Sequence, residues 1–149
     1  MLNIITSKHS ELVENYLLKS CILNRSGSII TNLNIKNKGN KKIVKLNKSK
    51  FKDIISNPSK YEDSTIVIYD YHLFITYLTS DLMRKFRQVV CVHRSLNINI
   101  FITSNSVNKI ERDLKIYCEG YIRIILDDNN KDFTCLLYTS PSPRDQEES

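Results

Sequence analysis

Short runs of β-branched residues alternate along this chain with stretches whose apolar residues recur every three or four positions. Leu2 to Thr6 predicts a short buried strand. Ser10 reads as an N-cap, and Glu11 to about Asn24 as a helix with Val13, Leu17 and Cys21 on one face. Glu11 and Glu14 sit in its first turn, where carboxylates favour the helix dipole. Gly27 breaks this helix, and Ser28 to Leu33 predicts a second strand. A loop over 34–42 leads to a short strand, Ile43 to Leu46, then a short helix, Ser49 to Ser56, before the Asn57-Pro58 turn.

The run Ser64-Thr-Ile-Val-Ile-Tyr-Asp70 predicts a strand over 65–70, followed by a helix through about Tyr77 to Gln88. Val89 to Val92 fits either the end of that helix or a short extended piece. Ile98 to Thr103 predicts the next strand. Val107, Ile110, Leu114 and Tyr117 recur at helical spacing, Gly120 stops that helix, and Tyr121 to Leu126 supplies a last strand. Strands alternating with helices imply an α/β fold, a mostly parallel sheet with helices on both faces. The chain shows no internal repeat.

The last fifteen residues change the picture. Cys135 to Asp145 reads as the translation of a sequencing adapter, so the domain is expected to span 1–134, with 135–149 disordered and the natural chain truncated near Thr134. A Ser/Pro tail is the alternative. The tail holds Arg144 against Asp145, Glu147 and Glu148, so 21 of the 22 basic and 13 of the 16 acidic residues precede it, a net charge of +8. Residues 1–134 are enough for one domain with a real core. Met1-Leu-Asn-Ile-Ile-Thr lacks a secretory basic region, and no stretch approaches the roughly 20 apolar residues of a membrane helix. Cys21, Cys91 and Cys118 are widely spaced with no CxxC, which argues against zinc and for a reducing compartment.

Much of the positive charge lies between Lys36 and Lys52, in Lys36, Lys38, Lys41, Lys42, Lys45, Lys48, Lys50 and Lys52. A solvated loop and helix face accounts for this patch. A contact for DNA or an anionic membrane face is the functional alternative.

Candidate chemistry sits where strands end. Asp70 closes an Ile-Val-Ile-Tyr strand; a carboxylate is costly to bury unpaired, so it belongs at the sheet edge, hydrogen-bonded or on a metal. Thr103, Ser104 and Asn105 follow the next strand and offer hydrogen bonds to a phosphate, although such clusters also make ordinary turns. His93 and Arg94 follow a basic helix and suit either a contact with DNA or a neighbouring subunit, or a plain surface. His9 and His72 have no partner at metal or triad spacing. After the first strand, Thr6-Ser-Lys-His-Ser10 carries no glycine, and none occurs from Ser7 through Glu14. A backbone anion nest is therefore hard to form there.

In order and spacing these residues resemble the Zot (zonula occludens toxin-like) family, the N-terminal P-loop domains of filamentous phage assembly ATPases. Ile30-Thr31-Asn32-Leu33 resembles the family's strand ending in Thr-Asn, and Ile66-Val-Ile-Tyr-Asp70-Tyr71 its Walker B strand. His93-Arg94 resembles its Arg-His helix end, Phe101-Ile-Thr103-Ser104 its sensor strand, and Ile110 to Leu114 its closing helix.

The resemblance implies a P-loop NTPase-like three-layer sandwich. ATP with magnesium would lie on a degenerate loop of Ser7, Lys8 and Ser10, with Asp70 as metal contact and Thr103 and Ser104 as sensors. Val13 stands where the loop lysine is expected, Glu14 at the magnesium hydroxyl and Tyr71 at the catalytic Glu, so a loss of hydrolysis is expected.

Partners implied are other phage assembly proteins or own copies in a ring, DNA through the 36–52 patch, an interface at His93 and Arg94, and a membrane through a later segment. The location implied is the host cytoplasm, at the cytoplasmic face of the inner membrane. A viral genome-packaging ATPase of the FtsK/HerA-like class, and a non-catalytic α/β interaction module, are the alternatives.

Overall fold

Each central strand is apolar on both sides because each has helices on both sides. In β1 (Leu2–Thr6), Leu2 and Ile4 point into one core cluster and Ile5 into the other. The same alternation divides Ile66 and Ile68 from Val67 in β4 (Thr65–Ile68), and Ile100 and Ile102 from Phe101 in β5 (Asn99–Ser104). Two-sided burial erases the polar alternation of a half-exposed strand. Fully burying one such isoleucine contributes about 1.5–3 kcal/mol.

The computed structural model describes residues 1–22, 27–35, 42–126 and 133–139. With β2 (Ile29–Thr31), β3 (Ile43–Lys45), β6 (Gly120–Leu126) and β7 (Phe133–Thr139), the strands form one sheet in the order β3-β2-β4-β5-β1-β6-β7. All pairs are parallel except β6 with β7. α1 (Ser10–Tyr16), continued by π-helical turns over Leu17–Ile22, covers one face. α2 (Lys48–Ser56), α3 (Tyr71–Ile75), α4 (Ser80–Val92) and α5 (Arg112–Ile116) cover the other. The sheet with helices on both faces is the expected one.

Several element boundaries differ from the sequence reading. His9, not Ser10, caps α1, and the predicted end of that helix at 23–24 lies outside the described residues. α3 was not foreseen; it starts directly after Asp70, where a strand-to-helix loop was expected. Val89 to Val92 completes α4. The helix expected from Val107 divides into a 3-10 turn, Val107–Lys109, and α5, because Ile110 takes an extended backbone.

Residues 135–139, expected to be disordered, lie within β7, antiparallel to β6 from Gly120↔Thr139 to Leu126↔Phe133. The unpaired edge of β6 is a template for a β-prone string such as Phe-Thr-Cys-Leu-Leu-Tyr-Thr. Residues 140–149, and Lys36, Lys38 and Lys41 of the basic patch, lie outside the described residues.

Candidate functional site

Parallel strands bring their carboxyl ends to one edge, and β5 lies between β1 and β4. The tips of these three strands enclose a cleft of about 200 Å³ lined by Ser7, Lys8, Ser10, Val13, Tyr69, Asp70, Thr103, Ser104 and Asn105. The structure thus brings together seven residues singled out from the sequence: Ser7, Lys8, Ser10, Asp70, Thr103, Ser104 and Asn105. This is the crevice at the carboxyl ends of strands where open α/β sheets bind ligands.

Asp70 occupies a left-handed backbone conformation, φ 53° and ψ 64°. Its backbone N–H donates to the Thr103 hydroxyl at 2.8 Å, which fixes the turn that β4 makes into α3. Its carboxylate is exposed and makes no cap bond to α3. A non-glycine residue in this region costs roughly 1–2 kcal/mol, less for Asp, and such outliers gather at functional sites.

The hydroxyls nearby are largely committed. Thr103, buried, holds the Asp70 turn. The Ser104 hydroxyl donates to the Ser106 carbonyl at 2.8 Å and accepts from the Ser106 N–H. The Ser7 hydroxyl accepts from the His9 N–H at 3.0 Å, and the Ser7 N–H donates to the Ser104 carbonyl at 3.2 Å.

Tyr69 is the cleft residue that sequence reasoning missed. Burial first, then the nearby Glu14 carboxylate, raises the pKa of its phenol above the usual value. The signal was present in the alternation of β4, which places Tyr69 on the same side as Val67, facing α1. The Asn32 side-chain amide donates to the Tyr69 carbonyl and accepts from its N–H, both at 2.7 Å. The Thr-Asn strand end thus has a structural use: the amide extends the β2–β4 pairing by one more pair of bonds.

A magnesium triphosphate does not fit the residues that the loop supplies. Only Ser7, Lys8 and His9 connect β1 to α1, fewer than the glycine-rich loop that wraps a phosphate. None of the three has a positive φ, so no anion nest forms. Glu14, in the middle of α1, lies near Tyr69.

Tyr71 does not face the cleft. Its ring is fully buried against Phe86, and its hydroxyl donates to Glu111 at 2.6 Å. The position after Asp70 therefore belongs to the core in this chain, and a water-activating group cannot be supplied from it.

His93 and Arg94 lie at the opposite, amino edge of the sheet. His93 is buried, its Nδ1 against the Val90 carbonyl and its Nε2 3.1 Å from Glu119 Oε1. This corrects the expectation of a DNA or subunit contact at His93, because both ring nitrogens face inward partners. Arg94 is exposed, with Nε donating to the same Glu119 oxygen at 2.9 Å. Burial raises the Glu119 pKa, but the Arg94 and His93 bonds outweigh it and the net shift is downward.

Among the described residues, no group of three or more His, Cys, Asp or Glu is placed to hold a metal ion. No helix there is long and apolar enough to cross a membrane.

The fold and the edge cleft define a P-loop NTPase-like α/β domain. The architecture is that of the N-terminal domain of zonular occludens toxin from Neisseria meningitidis, with a TM-score of 0.62 at 12% identity over 93% of this chain and 83% of that one. It is also similar to B204, the DNA-packaging ATPase from Sulfolobus Turreted Icosahedral Virus, with a TM-score of 0.57 at 15% identity over 87% and 77% of the two chains. The genome packaging NTPase B204 from Sulfolobus turreted icosahedral virus 2, in complex with AMPPCP, matches with a TM-score of 0.59 at 12% identity over 88% and 78%. No family model matches the chain, and no curated protein matches it in sequence.

Proposed function

We propose that this chain is a Zot-like domain that serves phage virion assembly or export as a non-hydrolysing subunit. One observation carries the reading. The cleft keeps Asp70 and the Thr103 strand tip in place while the connection that should cradle the phosphates is three residues without a nest.

Two further features support it. The water-activating position is filled by the buried Tyr71, and Tyr69, near Glu14 of α1, lines the cleft. The similar B204 NTPase binds AMPPCP, whereas this chain keeps Asp70 at the end of β4 without a loop that fits a magnesium triphosphate. A subunit of this kind acts by stoichiometric contact with its own copies or with other assembly proteins, at the inner face of the host membrane.

The test is magnesium-dependent ATP hydrolysis by the purified chain. The expected result is no turnover above a buffer blank. Turnover that Asp70→Ala abolishes overturns the reading.

Similarity to the packaging ATPase is nearly as strong as similarity to the toxin domain, so a DNA motor role is the second reading. Lys42, Lys45, Lys48 and Lys52 are exposed along β3 and α2, where they would meet a phosphate backbone. DNA affinity that falls with salt and with neutralisation of these lysines favours it.

A further inference from the structure

We infer that the groove on the opposite face of the β1 tip is a second site, one that binds a small phosphorylated ligand through its phosphate. The groove holds about 480 Å³, within the size range of small-molecule sites. Its donors are Lys8, His9, Arg123, Asn105, Asn108 and the Tyr121 hydroxyl, which hydrogen-bonds Thr6 at 2.8 Å.

Charge decides between this groove and the cleft already described. Ser7, Lys8 and Asn105 line both, so the β1 tip is the wall between them. On the α1 side stands the exposed Asp70 carboxylate, with the Glu14 carboxylate near Tyr69. On the β6 side, no carboxylate of a described residue lines the groove, and Arg123 joins Lys8. A phosphate is repelled on the first side and attracted on the second.

Sheet register holds the donors in place. Thr6 pairs with Ser104 on one side and with Arg123 on the other, forming a row across β5, β1 and β6 at the carboxyl edge. Ile122 and Ile124 turn into the core, which aims Arg123 away from it, on the side of Tyr121. Arg123 is exposed, and neither it nor Lys8 makes an ion pair among the described residues. His9 caps α1 without a side-chain bond, so its imidazole is not taken up by the cap. A guanidinium, an ammonium and two amides suit a phosphate monoester or diphosphate.

The site is independent of hydrolysis, and its test omits magnesium. Calorimetric titration of the whole chain with inorganic pyrophosphate, then with AMP, should give saturable binding. Arg123→Gln and Lys8→Gln should each weaken it about tenfold, while Lys60→Gln, at the amino edge of the sheet, should leave it within twofold. All three residues are exposed, and thermal melts would verify folding. No saturation at millimolar ligand, or binding that Arg123→Gln leaves unchanged, overturns the inference. So does Arg123-dependent binding confined to a single-stranded oligonucleotide, which would make the groove a nucleic-acid track.

Discussion

Asn32 reads both backbone groups of Tyr69, donating to its carbonyl and accepting from its N–H at 2.7 Å each. A side-chain amide is the one neutral group that can imitate a peptide in this way, with a donor and an acceptor side by side. Asn32→Asp keeps the shape and the acceptor but sets a carboxylate oxygen against the Tyr69 carbonyl. The expected loss is about 1–3 kcal/mol. Thermal unfolding followed by circular dichroism would show this as a lower Tm, and an unchanged Tm would mean that the pair is not structural.

The left-handed backbone at Asp70 separates fold from chemistry. Glycine adopts this conformation without strain, whereas alanine has neither glycine's freedom nor aspartate's tolerance. Asp70→Gly should therefore match or exceed the parent in stability by up to about 1 kcal/mol, and Asp70→Ala should fall below it by a similar amount. Chemical denaturation of the three proteins gives that order directly. The reverse order would show that the carboxylate itself holds the turn.

Placing a carboxylate directly after Asp70 should destabilise the core. Tyr71 is fully buried and bonded to Glu111, which with burial drives its pKa far above the usual phenol range. Tyr71→Glu would bury a charge beside another carboxylate, at a cost of about 3–5 kcal/mol. Tyr71→Phe only removes one bond from a half-buried Glu111, about 1–2 kcal/mol. Melting temperatures of the two variants should differ by several degrees in that sense.

Alkaline stability should follow Cys118. Burial pushes its thiol up to about 11 from an ordinary value of 9.0, despite backbone hydrogen bonds at Ile4 and Gly120. The folded chain therefore keeps a proton that the unfolded chain has lost between those values. The stabilisation is complete below pH 9 and disappears as pH rises toward 11, about 2–3 kcal/mol in all. Denaturant titrations at pH 8, 9 and 10 would measure its onset, and Cys118→Ala should reduce the slope there; above pH 10 Tyr71 and Tyr61, whose pKa values burial also raises, add their own loss. Alkylation mapped by mass spectrometry should label the exposed Cys91 well before Cys118.

The strands were legible from the chain because burial on both faces produces uninterrupted apolar runs such as 66–68 and 100–102. The cleft was legible because parallel strands must bring their polar ends to one edge. α3 was not, since it begins on a residue with a positive φ that no local propensity announces. Tyr71 was misplaced because a strand that ends at Asp70 suggests a following residue at the edge, whereas α3 turns the ring back into the core. His93 looked like a surface residue in a basic segment, and its partner Glu119 is 26 residues away in sequence. β7 depended on the open edge of β6, a feature of the assembled sheet rather than of any local segment.

Tyr69 and Asp70 are both gripped by their main-chain atoms, one by Asn32 and the other by Thr103. What those positions hold in place is a path, not an identity. Substitutions at either site can change the chemistry of the cleft while the strand tip stays where it was. A scaffold built in this way gives mutation a protected place to experiment, because the strand tip does not depend on which side chains stand at 69 and 70.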